Sequence, residues 1–115
     1  MKKILIVLVL LLSSVVSVNA ETKRIISGNQ DAKITIIAYE SLTCSHCADF
    51  HNDVYPRLKK EYIDTGLAKI EFRHFPLDVA AFNASKISQC GKNQSLNILE
   101  SLYSVSYTHL TLPTT

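Results

Sequence analysis

Past residue 20 the sequence has no long apolar run, no net charge and no internal repeat. The first absence removes any transmembrane helix from residues 21–115, because crossing about 30 Å of hydrocarbon takes roughly 20 apolar residues. The second removes the case for nucleic acid as a partner. The 115 residues carry 12 Lys and Arg against 10 Asp and Glu, and two of the cations are Lys2 and Lys3. Without that pair the signs balance. With neither repeats nor a low-complexity linker, the chain has room for one small domain.

What is present begins at the N-terminus. Met1-Lys2-Lys3 leads into the wholly aliphatic run Ile4 to Leu12, and Val18-Asn19-Ala20 follows with small residues at both flanks. A short basic head, an apolar core and a small-residue site form a secretory signal peptide cut after Ala20. An uncleaved membrane anchor is the competing reading, but nine aliphatic residues are too few to span the bilayer unaided. No cysteine lies near Ala20 to take a lipid. The expected product is an exported, periplasmic protein. At the other end, "SVSYTHLTLPTT" (104–115) has no charge and four threonines. It reads as a disordered tail or as foreign sequence, with the native frame ending near Tyr103.

Between these ends, strand-like and helix-like patterns alternate. Residues 24–27 make a possible short strand, and "GNQDA" (28–32) supplies turn residues. "KITIIAYE" (33–40) is apolar on both faces, as in a central strand covered twice. A helix should start at the cysteines, with Thr43 as N-cap and Phe50, Val54 and Leu58 along its apolar stripe. Pro56 should kink it. Gly66 should cap its end in the left-handed conformation. "AKIEFRHF" (68–75) alternates Ile70 and Phe72 against Lys69, Glu71 and Arg73, the period of a strand. Strand, helix and strand form a βαβ unit, so a parallel pair with a right-handed crossover is expected. A further helix should run from Val79 to Gly91 with Ala80, Ala84 and Ile87 on one stripe. Another should begin at 95, through Leu96, Leu99 and Leu102 or Tyr103.

The chemistry concentrates in "TCSHCADFH" (43–51). Haem attachment needs C-x-x-C-H, and here the histidine sits inside the pair while Ala48 follows it. Zinc could draw on Cys44, Cys47, His51 and Cys90, although structural zinc sites usually supply a second close pair of ligands. A permanent disulfide between Cys44 and Cys47 would close a tiny loop and remove little entropy from the unfolded chain. The same pair in a βαβ context reads as a redox switch. Cys44 falls at a helix N-terminus, where unpaired N–H groups and the dipole favour a thiolate. His46 can add positive charge or a hydrogen bond to that sulfur. A disulfide whose reduced form is stabilised in this way is an oxidant. Cys47, one turn on, is the expected shielded, resolving sulfur.

The stretch from 28 to about 103 resembles the DsbA-like thiol:disulfide oxidoreductases, a thioredoxin-fold family. The resemblance rests on C-x-H-C after an apolar strand, Tyr55-Pro56 in the following helix, "FRHFPL" (72–77) at the next strand's end, and the Ala-rich helix after it. It implies an α/β, thioredoxin-like fold of DsbA type. Residues 21–78 would form the first part of the thioredoxin-like domain, and 79–103 the start of an inserted helical subdomain. It also implies a periplasmic enzyme without a cofactor or metal. The Cys44–Cys47 disulfide would pass to reduced exported proteins and be restored by a quinone-linked, DsbB-like membrane oxidase. Ser45 departs from the family, which commonly has proline there, so the strength of the oxidant stays open. The family also returns from its inserted helices with two more strands, the first after a cis-proline facing the cysteines. This chain stops earlier, as a truncated member would, and Pro113 is not assigned that role. Cys90 could form a second disulfide with a partner outside the sequence.

Three other residues carry weaker signals. Glu40 could relay protons or could be a solvated carboxylate at a strand end. His51 and His74 are expected at surface or satisfied interior positions. An isomerase or reductase of the same fold, and a non-catalytic zinc or peptide-binding module, stand as alternatives to the oxidase.

Overall fold

A computed structural model describes residues 22–109. The proposed signal peptide and the last six residues of the tail therefore lie outside the described residues. Three strands, β1 (Ile25–Ser27), β2 (Ile34–Glu40) and β3 (Ala68–His74), form one sheet in the order β1-β3-β2. β1 runs antiparallel to β3, with Ile25 opposite Phe72 and Ser27 opposite Ile70. β2 runs parallel to β3, with Ile36 opposite Ile70 and Ala38 opposite Phe72. The βαβ unit expected from the pattern is present.

The central strand is β3, not β2. β3 has a hydrogen-bonded neighbour on each side and buries Ala68, Ile70 and Phe72. β2 pairs on one side only among the described residues, and Ile34, Ile37 and Tyr39 stand exposed. Its continuous apolar run gives it the capacity for two covered faces, but burial depends on neighbours that these residues do not supply.

The helix after the cysteines, α1, spans 45–63 and alternates α and π turns. The π turn Phe50–Val54 precedes Pro56, and the Tyr55 N–H reaches back five residues to the Phe50 carbonyl. Pro56 has no N–H to give, so a widened turn at that place takes up the mismatch. The extra residues per turn also rotate the buried face. It runs through Ala48, His51, Tyr55 and Ile63, while Val54 of the expected stripe points to solvent. Gly66 caps the end at φ 79°, as its position suggested. Gly28 has no substitute, because at φ 106° an added Cβ would lie 2.7 Å from Ile63 Cγ2.

Two helices follow. α2 (Val79–Gln89) starts at Asp78, whose Oδ1 accepts the Ala81 N–H at 2.7 Å. Its buried positions are Ala81, Ser85 and Ser88, one residue on from the expected stripe of Ala80, Ala84 and Ile87. Serine is tolerated there because each hydroxyl bonds a carbonyl of its own helix, Ser85 to Phe82 and Ser88 to Ser85, both at 2.8 Å. α3 (Ser95–His109) buries Leu99 and Tyr103 against α1 and the sheet. It continues through 104–109, so disorder is not found in the first half of the tail. The core joins Ile25, Ile70 and Phe72 of the sheet to Leu42, Tyr55, Ile63, Leu99 and Tyr103. Within it the Tyr55 hydroxyl donates to Ser27 Oγ at 2.8 Å.

Candidate functional site: a thiol pair at a strand-to-helix turn

β2 ends at Glu40, and a tight turn carries the chain into α1. The Cys44 N–H bonds the Ser41 carbonyl, and the Ala48 N–H bonds the Cys44 carbonyl, each at 3.1 Å. The N-cap is therefore Cys44 itself, in extended geometry (φ −88°, ψ 118°), and not Thr43. Thr43 is committed elsewhere: its hydroxyl donates to Asp78 Oδ2 at 2.7 Å. The neighbouring Ser41 hydroxyl accepts the Leu77 N–H at 3.3 Å, and the Phe75 N–H bonds the Glu40 carbonyl at 2.7 Å. Through these bonds the loop after β3 is stitched to the turn that presents the thiols.

Cys44 and Cys47 are both half-buried thiols, so exposure alone does not separate them. Their surroundings do. The Cys47 N–H and thiol hydrogen-bond to the Cys44 sulfur and lower its pKa, with the His46 N–H adding to the effect. Burial raises the Cys47 thiol, and the neighbouring Cys44 and Glu40 charges push the same way against a Ser41 N–H. One sulfur is prepared to be a thiolate, the other to keep its proton.

The two histidines of the motif part company. The His46 side chain is 93% exposed, with Nδ1 3.7 Å from Asp49 Oδ2. Its backbone N–H, rather than its ring, is the group among the causes of the Cys44 shift. Ser45 is exposed in the same first turn. His51 is buried and its Nε2 lies 2.7 Å from Glu40 Oε2, so Glu40 is an interior, hydrogen-bonded residue and not a solvated strand end. The Tyr103 ring stacks on the His51 ring at 4.0 Å, and the Phe72 ring lies 5.0 Å away. Burial raises the Tyr103 hydroxyl pKa, with the Glu40 and cysteine charges acting in the same direction. Glu40 Oε1, His51 Nδ1 and the Tyr103 hydroxyl make no hydrogen bond among the described residues.

His74 is a satisfied, half-buried residue whose Nε2 meets Ser88 Oγ at 2.8 Å, and burial lowers its pKa. Cys90 sits exposed at the end of α2. The hypothetical zinc quartet is not assembled: among the described residues no three of His, Cys, Asp and Glu gather closely enough to hold a metal. Tyr103 and Asp78 are the contributors that pattern reading missed. Tyr103 was visible only as one of two candidates for a stripe. Asp78, immediately before an Ala-rich run, carried a capping signal that could have been read.

A parallel βαβ unit with a C-x-x-C pair opening its helix is the arrangement of the thioredoxin class of folds. The family model described as Thioredoxin matches residues 20–114. The chain belongs to this thioredoxin-fold family, and the solved structures it resembles include DsbA proteins. It is 36% identical to the T172V variant of α-DsbA1 from Wolbachia pipientis, with a TM-score of 0.67 over 78% of this chain and 48% of that one. Among curated relatives, a Rickettsia bellii protein named "Putative protein-disulfide oxidoreductase" is 35% identical over 75 residues, 65% of this chain and 29% of its own length. Disulfide bond formation protein D of Bacillus subtilis is 33% identical over 45 residues, 39% of this chain and 20% of its own. The chain thus spans less than a third of those curated relatives and about half of the structural neighbour.

Proposed function

We propose that this chain is the redox-active part of an extracytoplasmic protein-disulfide oxidase, with Cys44 as the exchanging sulfur and Cys47 as the resolving one. The observation that carries the reading is the asymmetry of the pair, a favoured thiolate at Cys44 beside a disfavoured one at Cys47. In the oxidised protein a substrate thiolate attacks Cys44 Sγ. The Cys44–Cys47 bond breaks, a mixed disulfide forms, and Cys47 leaves as a thiolate that takes up a proton. A second substrate thiolate then attacks the substrate sulfur of the mixed disulfide and expels Cys44 as its stabilised thiolate. Two electrons pass from the substrate dithiol to the cysteine pair. A low pKa at the leaving sulfur speeds that last step and stabilises the reduced protein, so the disulfide is oxidising.

The remainder of the reading follows the signal-like N-terminus and the family. Cleavage after Ala20 delivers the protein to the periplasm, reduced exported proteins are its substrates, and a quinone-linked membrane thiol oxidase restores the disulfide. His46 and Ser45 tune the Cys44 thiolate. Cys90 pairs with a cysteine beyond these residues. Residues 21–78 belong to the thioredoxin-like domain and 79–103 to an inserted helical subdomain.

Alkylation of the reduced protein at mildly acidic pH should label Cys44 before Cys47. The oxidised protein should introduce disulfides into a reduced model protein. Cys44→Ser should abolish that activity, and Cys47→Ser should trap a mixed disulfide on Cys44. Labelling of Cys47 first would reverse the roles. Rearrangement of scrambled disulfides without net oxidation would move the protein to the isomerase class.

A further inference from the structure

A second cleft lies away from the thiols, between the segment entering β1, the end of β3 and α2. Its volume is about 610 Å³, within the range of roughly 300–1,000 Å³ typical of small-molecule sites. Pro76 and the exposed Phe82 supply its apolar wall. Four cations line it, Lys23, Arg24, Arg73 and Lys86, against one carboxylate, Glu71.

The charges do not cancel. Arg73 Nε bonds Glu71 Oε1 at 2.9 Å, so those two neutralise each other and three cations are left. His74, also in the lining, adds none. The Ser88 hydroxyl gives its hydrogen to the Ser85 carbonyl, so at the 2.8 Å contact His74 Nε2 must be the donor to Ser88 Oγ. Burial lowers the pKa of that imidazole, away from the charged form. Charge and apolar surface are adjoining, because Lys86 Nζ stands 4.1 Å from the centroid of the Phe82 ring. Gln89 Oε1, in the same lining, is buried and makes no hydrogen bond among the described residues.

We infer that this cleft binds a small anion carrying an apolar body, of which a medium-chain carboxylate is the simplest example. The three lining cations that make no ion pair among the described residues select the sign. They are rim groups, and exposed charges alone hold an anion weakly in salt. The aromatic and proline wall supplies the rest by removing apolar surface from water. A carboxylate only accepts, so from the Gln89 amide it can take an N–H and not the unpartnered Oε1. None of the lining residues belongs to the C-x-x-C turn, so the site is separate from thiol exchange and does not depend on it.

Amide NMR titration of the oxidised whole chain with octanoate, octanol and inorganic phosphate tests the assignment. Octanoate should shift the amides of Phe82, Ser85 and Gln89 and bind at least tenfold more tightly than either of the others. Lys86→Gln and Arg24→Gln, both at exposed positions, should each weaken octanoate at least threefold and leave the rate of Cys44 alkylation unchanged. Phosphate binding as tightly as octanoate would reduce the cleft to a charged surface. Equal binding of octanol would make it apolar only. Shifts centred on residues 75–79, or no saturable shift, would overturn the site itself.

Discussion

β2 and β3 are both seven residues long and lie in parallel register. Their fates differ. β3 sits between two strands and puts Ile70 and Phe72 into the core at 0% and 3% exposure. β2 leaves Ile34, Ile37 and Tyr39 at 57%, 44% and 63%, and buries only Glu40 at its last position. Sequence pattern measures what a strand could bury; the number of neighbours decides what it does bury. The comparison also locates the chemistry, since the one buried residue of β2 is the one adjoining the thiol turn.

The largest contrast should come from the sheet itself. Phe72→Ala removes a ring packed at 5.3 Å from Tyr55 and 5.0 Å from His51, and should cost about 3–5 kcal/mol in denaturant unfolding. Ile37→Ala, on the exposed strand, should stay within about 0.5 kcal/mol. Equal losses at the two positions would mean that β2 is covered in solution.

Next is the buried end of β2. His51→Ala leaves Glu40 in the interior without its partner, a change expected to cost about 3 kcal/mol or more. Replacing both residues with apolar ones of similar size, Glu40→Met with His51→Leu, should recover most of the loss. If the double variant is as unstable as the single one, the pair holds the turn by geometry rather than by charge balance.

Much of this was readable in the residues. The order of elements, the parallel pair, the left-handed Gly66 and the placement of the thiols at a helix start follow from local periodicity and turn chemistry. Three things were not, for physical reasons. The buried face of α1 depends on π turns, which break the 3.6-residue period on which a stripe is counted. The burial of Glu40 depends on His51, 11 residues away. The order of strands depends on pairing, which a strand's own composition does not encode.

His46 offers a smaller effect at the other side of the turn. Its ring is in water near Asp49 and can act on Cys44 only through screened solvent. His46→Ala keeps the backbone N–H that faces the Cys44 sulfur, so any rise in the Cys44 pKa reports the ring alone and should be slight. Thiolate absorbance against pH reads this directly. An unmoved titration would leave the backbone N–H groups of Cys47 and His46 and the Cys47 thiol as the source of the shift.

The smallest effect on stability, and the sharpest on association, should come from Ile37→Lys. Ile37 is 44% exposed on a strand with an unpaired edge among the described residues, and Ile34 and Tyr39 flank it. A lysine there keeps its head in water, so unfolding free energy should change by no more than about 0.5 kcal/mol. The same charge opposes edge-to-edge pairing, because two copies would bring like charges together across a new ladder. Light scattering of the whole chain at rising concentration should therefore show less assembly in Ile37→Lys than in the parent, most clearly at low salt. Unchanged assembly together with unchanged stability would show that the β2 edge is not the surface through which copies meet. The exposed apolar side chains of Phe75, Leu77 and Val79 would then be the next place to put the charge.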